Sequence, residues 1–513
     1  MTIPGMRRAA GLLTITVLAA SMTLGQATAQ KPQPGNGQPQ SSQTEKHITP
    51  EQAKELFASV DTILHFASDD TGLPIKHDVK RRLTSRAAVE KYLEDKMKNG
   101  KDTKRLERSE IVLKKFGMLD EDFQLQPFLV SLLKEQIAGY YDAKTKTVNL
   151  LDWLPPDAQK PVLAHELTHA LQDQRVNLDK WEDQSSDDLS HNVTEDNKHI
   201  ATDEEDTARE AVLEGQAMAV LVDYELQPMG RNILSNPEAV KRIADAQGSD
   251  ASSPVLARAP LVLQQSLLFP YREGLKFEVD LLVDKGRQGA FGDVLDNPPS
   301  TSYEIMNPRV YEEHATLPLL KMPDVHGLLD ADYNPYDVGV MGQLDVRMLT
   351  ELFGGPQMAA QLTPAWDGGI YYVVQKKSAP NKNSTASIGL LYLSQWKTPE
   401  AAQAFAKMYA GELGQQYSNV AEDKKDESDP NEVVYNSNEG PMLISTQGRL
   451  VFVSESFPLP LARKLEFQMV GAQGGSDDAG VITARMQPGQ DLMGGLTGFI
   501  QSCGVMRAAL HLY

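Results

Sequence analysis

The pentapeptide His165-Glu166-Leu167-Thr168-His169 constrains this chain more than any other stretch. Two histidines four apart lie on one face of a helix, one turn from each other, so both imidazoles can reach a single ion. Glu166 sits just off that pair, where a base can take a proton from a water activated by the metal. The motif therefore demands a helix, and its flanks predict one. Pro155, Pro156 and Pro161 mark its start rather than its interior. Leu163, Leu167, Ala170 and Leu171 form an apolar stripe on the side away from the ligand pair, suited to core packing.

Two histidines leave a zinc ion short of one protein ligand, with a further position kept for water. Cys503 is the only cysteine, which excludes a thiolate site. No third histidine follows at the spacing of the longer zinc-protease motif. A carboxylate on a second helix remains, and residues 206–226 supply it. Ala211, Leu213, Ala217, Val220 and Leu221 recur there near helical spacing. Glu214 stands out among the acids because Val212, Leu213, Gly215 and Ala217 surround it with small and apolar groups.

The segment His165 to Asp173, His-Glu-Leu-Thr-His-Ala-Leu-Gln-Asp, resembles the zinc helix of thermolysin-type metallopeptidases. Leu213-Glu214-Gly215-Gln216-Ala217 resembles the ligand helix of zinc aminopeptidases. Both groups are gluzincins. The resemblance implies zinc held by His165, His169 and Glu214, with Glu166 as general base. It leaves one assignment open. Glu210-Ala-Val-Leu-Glu214 also resembles the thermolysin pattern of a ligand glutamate followed four residues later by an acid that holds a zinc histidine, which would make Glu210 the ligand and Glu214 the orienter. Asp173 or Glu210 is then expected to orient the histidines by hydrogen bonding. The Gly-Ala-Met-Glu-Asn substrate motif of the aminopeptidases is absent. More loosely, residues 78–226 resemble the catalytic region of secreted bacterial zincin-like proteins.

Residues 1–29 read as a secretory signal peptide. Arg7 and Arg8 are its basic start, Ala9 to Leu24 its apolar body, and Ala27-Thr28-Ala29 its cleavage site before Gln30. The expected location is secreted or periplasmic. A net charge of −20 argues against nucleic acid and anionic lipid surfaces as partners. No later run reaches about eighteen uninterrupted apolar residues, so no transmembrane segment is expected once the signal is removed. One cysteine permits no intrachain disulfide, which leaves stability to packing and the metal.

The expected fold class is α+β. Residues 30–48 read as a flexible linker and 49–350 as a largely helical zincin-like metallopeptidase domain with a small edge-strand sheet. Residues 360–472 read as a smaller α+β accessory domain, and 473–513 as a Gly- and Met-rich tail. In the first domain the pattern predicts a helix from Pro50 to about Phe66, a strand over 78–84, and helices over 85–98, 102–117 and 125–136. Ile137 to Leu150 reads as a hairpin turning at Asp142 to Thr145. It is either an edge strand that binds extended substrate, with Tyr140, Tyr141 and Asn149 lining a cleft, or an ordinary core hairpin. The acid-rich stretch 177–206 reads as a solvated surface insert with His191 and His199 exposed. Residues 253–345 read as mostly helical. Tyr271, Arg272 and Tyr303 are candidate pocket-lining residues, and Tyr224, His314 and His326 are candidate donors to an oxyanion. The second domain is expected to hold strands over 369–375, 388–393, 432–436, 441–446 and 449–455, and helices over 399–413 and from about Pro460.

The chain so read is a secreted zinc-dependent peptidase that hydrolyses peptide bonds of a peptide or protein substrate through a Glu-activated water. The alternative is a non-catalytic, zinc-stabilised envelope binding or chaperone-like protein on a zincin scaffold. Glu166 separates the two, because a site kept only for stability needs no base.

Overall fold

The computed structural model describes residues 47–97, 101–136, 139–181, 192–246 and 254–474. The signal peptide, nearly all of the linker, His191 and the tail beyond Gly474 lie outside these residues. Helices of ten residues or more are numbered here; shorter turns carry no label. In chain order they are α1 (Pro50–Thr71), α2 (Arg86–Met97), α3 (Lys101–Lys115), α4 (Leu125–Gln136), α5 (Pro156–Val176), α6 (Val193–Thr202), α7 (Glu205–Leu226), α8 (Pro237–Ala246), α9 (Leu261–Arg287), α10 (Gln343–Leu362), α11 (Pro399–Gln416) and α12 (Leu459–Gly471). The architecture is α+β, with two sheets among many helices.

The first sheet has β1 (Lys80–Thr84), β2 (Tyr140–Asp142) and β3 (Thr147–Leu151) in the order β1-β3-β2. β3 pairs parallel with β1 and antiparallel with β2. As the central strand, β3 is buried along its whole length. Asn149 is spent inside it, taking a hydrogen bond from Thr84 Oγ1 and donating to the Thr147 carbonyl. It lines no cleft. β2 is left as an edge and lies against α5.

The second sheet has seven strands, β4 (Tyr333–Val340), β5 (Trp366–Lys376), β6 (Ile388–Trp396), β7 (Ala421–Glu422), β8 (Glu432–Ser437), β9 (Gly440–Gln447) and β10 (Leu450–Glu455). Their order is β4-β5-β6-β10-β9-β8-β7, all antiparallel. Side chains alternate across it. Tyr371 and Val373 of β5 enter one apolar core, while Ile370, Tyr372 and Val374 enter a second beneath α12. The five strands and two helices expected in this region form close to their expected bounds. β4 does not follow from the sequence reading. It starts before the expected domain boundary near 360, inside a stretch read as mostly helical. Pro335 suggests a loop there, but β4 is an edge strand with a bulge between Pro335 and Asp337, where a proline is tolerated.

The larger core is continuous across that boundary, running from Leu56 of α1 to Val453 of β10. Phe116, just past α3, packs edge-on against Tyr371 and Tyr392 of the second sheet, each at 5.9 Å between ring centroids. Lys115 is fully buried beside it and pairs with Glu439 Oε2 and Ser456 Oγ, both at 2.7 Å.

Two long helices carry the chemistry. α5 begins at Pro156, and Pro161 lies inside it rather than at its start. The missing N–H costs one hydrogen bond to the Asp157 carbonyl, early enough for the helix to continue. From Val162 to Asp173 every residue is buried, so the helix is enclosed on all sides rather than on one stripe. α7 is buried almost as completely. It packs along α9 through an approach only glycine permits. A Cβ on Gly215 would lie 2.3 Å from the Gly274 carbonyl oxygen, and one on Gly274 2.2 Å from that of Ala211. The small residue after Glu214 is thus fixed by helix packing.

Candidate metal centre

His165 and His169 project from adjacent turns of α5, and Glu214 meets them from α7. His165 Nε2 lies 3.0 Å from Glu214 Oε2 and 3.0 Å from His169 Nε2, and His169 Nε2 lies 3.4 Å from Glu214 Oε2. All three residues are buried to 0% exposure. They form the one compact group of three or more potential metal ligands found among the described residues, and Glu210 is not part of it. Glu210 is buried one turn earlier on the same helix. Burial alone would push the Glu214 carboxyl up. The two imidazoles, His169 first, outweigh it and hold the group well below the usual carboxylate range.

A relay of amides sets the His169 tautomer. Gln216 Nε2 donates to the Ala290 carbonyl at 2.7 Å, which turns its oxygen towards Gln172. Gln172 Nε2 donates to that oxygen at 2.8 Å and to the Leu213 carbonyl at 3.0 Å. Its own oxygen is thereby left facing His169 Nδ1, at 2.7 Å. Nδ1 must carry a proton, so Nε2 is the nitrogen turned to Glu214 and His165. Gln172 was not singled out from the sequence, because a glutamine carries no metal-site signal. Asp173, one of the two acids expected in this role, points elsewhere. It accepts hydrogen bonds from Tyr141 Oη and Lys146 Nζ, each at 2.7 Å, and from the Leu178 N–H at 3.2 Å. It is a fastener between α5 and the hairpin.

Glu166 is also buried to 0%. Its Oε2 accepts the backbone N–H of Tyr141 at 2.8 Å, from the unpaired side of edge strand β2. Tyr141 therefore pins α5 twice, by its backbone at Glu166 and by its hydroxyl at Asp173. Tyr140 and Tyr141 are both buried.

Of the candidate pocket residues only Tyr271 reaches the centre, its ring stacked near-parallel to His165 at 6.4 Å. Arg272 donates to the Ala244 and Asp245 carbonyls, and Tyr303 packs on Trp366. The three candidate oxyanion donors lie apart from the metal group. Tyr224 packs on Phe66, His314 lines a surface hollow beside α9, and His326 Nε2 pairs with Asp196 Oδ2 at 2.9 Å.

The acidic stretch before α7 is not a solvated insert where it is described, and His199 is buried rather than exposed. Its acids take backbone and hydroxyl donors from the rest of the molecule. Asp203 Oδ2 accepts the Val340 N–H at 2.8 Å, Glu204 Oε1 accepts Ser302 Oγ at 2.5 Å, and Asp196 holds His326. Composition could not reveal donors supplied from 98 to 137 residues away.

Comparison with protein-family models, curated proteins and solved structures finds no match. Among the described residues no helix is long and apolar enough to cross a membrane.

Proposed function

We propose that this chain is an exported zinc-dependent peptidase of the gluzincin type on a zincin-like scaffold, with His165, His169 and Glu214 as ligands and Glu166 as general base. The donor chemistry supports the metal. Two imidazole nitrogens and one carboxylate suit zinc better than magnesium or calcium. Donors held by a tetrahedral zinc lie roughly 3.3 Å apart, and the three spacings here are 3.0, 3.0 and 3.4 Å. Two ring nitrogens and a carboxylate converging at such distances in a dry site need a proton or a metal cation between them. Bound there, zinc supplies Lewis acidity to a peptide carbonyl and to the attacking water.

The observation that carries the peptidase reading is Glu166. It is buried beside the ligand group without belonging to it, and a sheet edge fixes one of its oxygens. Glu166 takes a proton from water as the water oxygen bonds to the carbonyl carbon. It then delivers that proton to the amide nitrogen as the C–N bond breaks, leaving a carboxylate and an amine. The substrate class is peptide or unfolded protein. The sequence reading of residues 1–29 supports a site of action outside the cytoplasm.

One observation favours the second reading, a zinc-stabilised binding or chaperone-like protein. His165, Glu166, His169 and Glu214 are all closed off from solvent. Glu166→Gln separates the readings. It nearly preserves volume and removes no ligand, so zinc content should match wild type. Cleavage of a mixed peptide library should fall by roughly 10²–10⁴-fold. Equal cleavage by both proteins rejects Glu166 as the base. No cleavage by fully zinc-loaded wild type rejects the peptidase in favour of the second reading.

A further inference from the structure

A second hollow lies away from the metal centre. It has a volume of about 420 Å³ and opens between the C-terminal end of α7, the first turns of α8 and the middle of α9. Its walls are apolar, formed by Val222, Leu226, Val240, Ile243 and Leu275. Its rim is the loop from Gln227 to Asn236, which supplies Arg231, Asn232, Ser235 and Asn236. The volume is in the range of small-molecule sites, and the division into apolar wall and polar rim is typical of them.

The rim has a specific chemistry. Arg231 is exposed, and its guanidinium makes no hydrogen bond or ion pair among the described residues. The nearby Asp223 is already engaged by the Ile233 N–H and by Asp70. Asn232 and Asn236 use their carboxamide oxygens within the loop, on Ser235 Oγ and the Ala239 N–H. Each also carries an NH₂ group able to donate. Met229 and Leu234 flank Arg231 and are 46% and 51% exposed, two of the five large apolar side chains that stand out on the described surface. An apolar hollow alone would accept any hydrophobe. A guanidinium at its mouth selects an anion there, and a carboxylate fits the guanidinium fork with two parallel hydrogen bonds.

We propose that this hollow binds a free long-chain carboxylate of the fatty-acid class, with the carboxylate on Arg231 and the alkyl chain between α7, α8 and α9. A free molecule is favoured over a lipid surface. The apolar walls enclose a chain on several sides, and the strongly negative protein is repelled by anionic membranes. The proposal does not depend on the peptidase reading.

Calorimetric titration of the mature protein with octanoate, decanoate and dodecanoate below their micellar concentrations tests it, with dodecanol as the uncharged control. Affinity should rise by up to roughly fourfold per added methylene. Arg231→Gln should weaken dodecanoate roughly tenfold or more and leave dodecanol unchanged. Ala239→Phe, at a half-buried lining position, should weaken both ligands. Unaltered thermal unfolding shows that the variants fold. Loss of binding in neither variant, or no binding of dodecanoate, overturns the proposal. Binding of phosphatidylglycerol vesicles without binding of monomeric dodecanoate overturns it in favour of a membrane-docking loop.

Discussion

His169 presents Nε2 to Glu214 because Gln172 holds its other nitrogen, and Gln172 is held in turn by the Leu213 carbonyl and by Gln216, itself fixed on the Ala290 carbonyl. Gln172→Ala should therefore weaken zinc about 10–100-fold, the usual effect of losing a group that orients a ligand. Glu214→Ala should abolish stoichiometric binding. Asp173→Asn should keep full affinity and lose only stability, since its carboxylate serves Tyr141, Lys146 and Leu178. Competition against a chromogenic chelator measures all three. Metal loss in Asp173→Asn with none in Gln172→Ala would reverse the roles. The histidines and Glu166 were legible because the i, i+4 spacing fixes their geometry on any helix. Glu214 was preferred to Glu210 on its match to the Glu-Gly-x-Ala pattern, and the packed helices group Glu214, not Glu210, with the histidines. Gln172 was illegible for a different reason. Its role comes from an amide orientation set by Ala290, far along the chain.

At the scale of elements, α5 and α7 were readable from their apolar periodicity, while β4 and α6 were not. β4 hides behind Pro335 and Gly339, and α6 behind its acids. What ties helices together here is often buried charge that no local pattern reports. Asp70 at the end of α1 meets Asp223 near the end of α7, with Arg287 of α9 beside them. Burial raises the Asp70 carboxyl far above its ordinary value, and the Asp223 charge raises it further, against Arg287. Asp223 is raised too, chiefly by burial, despite the Ile233 N–H. The fold therefore favours the protonated forms. Stability from this pair is complete below the ordinary aspartate pKa of about 3.9 and is lost as pH rises through the raised values towards neutrality. The urea midpoint of wild type should fall between about pH 4 and pH 7. Asp70→Asn, which cannot ionise, should show a shallower fall. Identical pH dependence in the two proteins would place the charge elsewhere.

Across the whole molecule the enclosed centre and the continuous core are one fact. Helix α1 buries Leu56, Val60, Ile63, Leu64 and Ala67, packing on α5 and α7. Each large side chain among them contributes roughly 1.5–3 kcal/mol, and together they approach the ~5–15 kcal/mol net stability of a typical domain. A chain begun after Leu73 should fail to fold, as read by circular dichroism and solubility. A soluble and more active truncation would instead make α1 a removable pro-segment. The α+β class was legible from the alternation of helical and strand periods, but the shared core was not, since it depends on Phe116 and Lys115 meeting a sheet more than two hundred residues later. The claim on which the rest stands is that one zinc ion sits between α5 and α7. Anomalous difference maps collected above and below the zinc absorption edge test it directly. A single peak bonded to His165 Nε2, His169 Nε2 and Glu214 is expected. No peak there in protein crystallised with zinc, or a peak held by Glu210 in place of Glu214, would contradict the assignment.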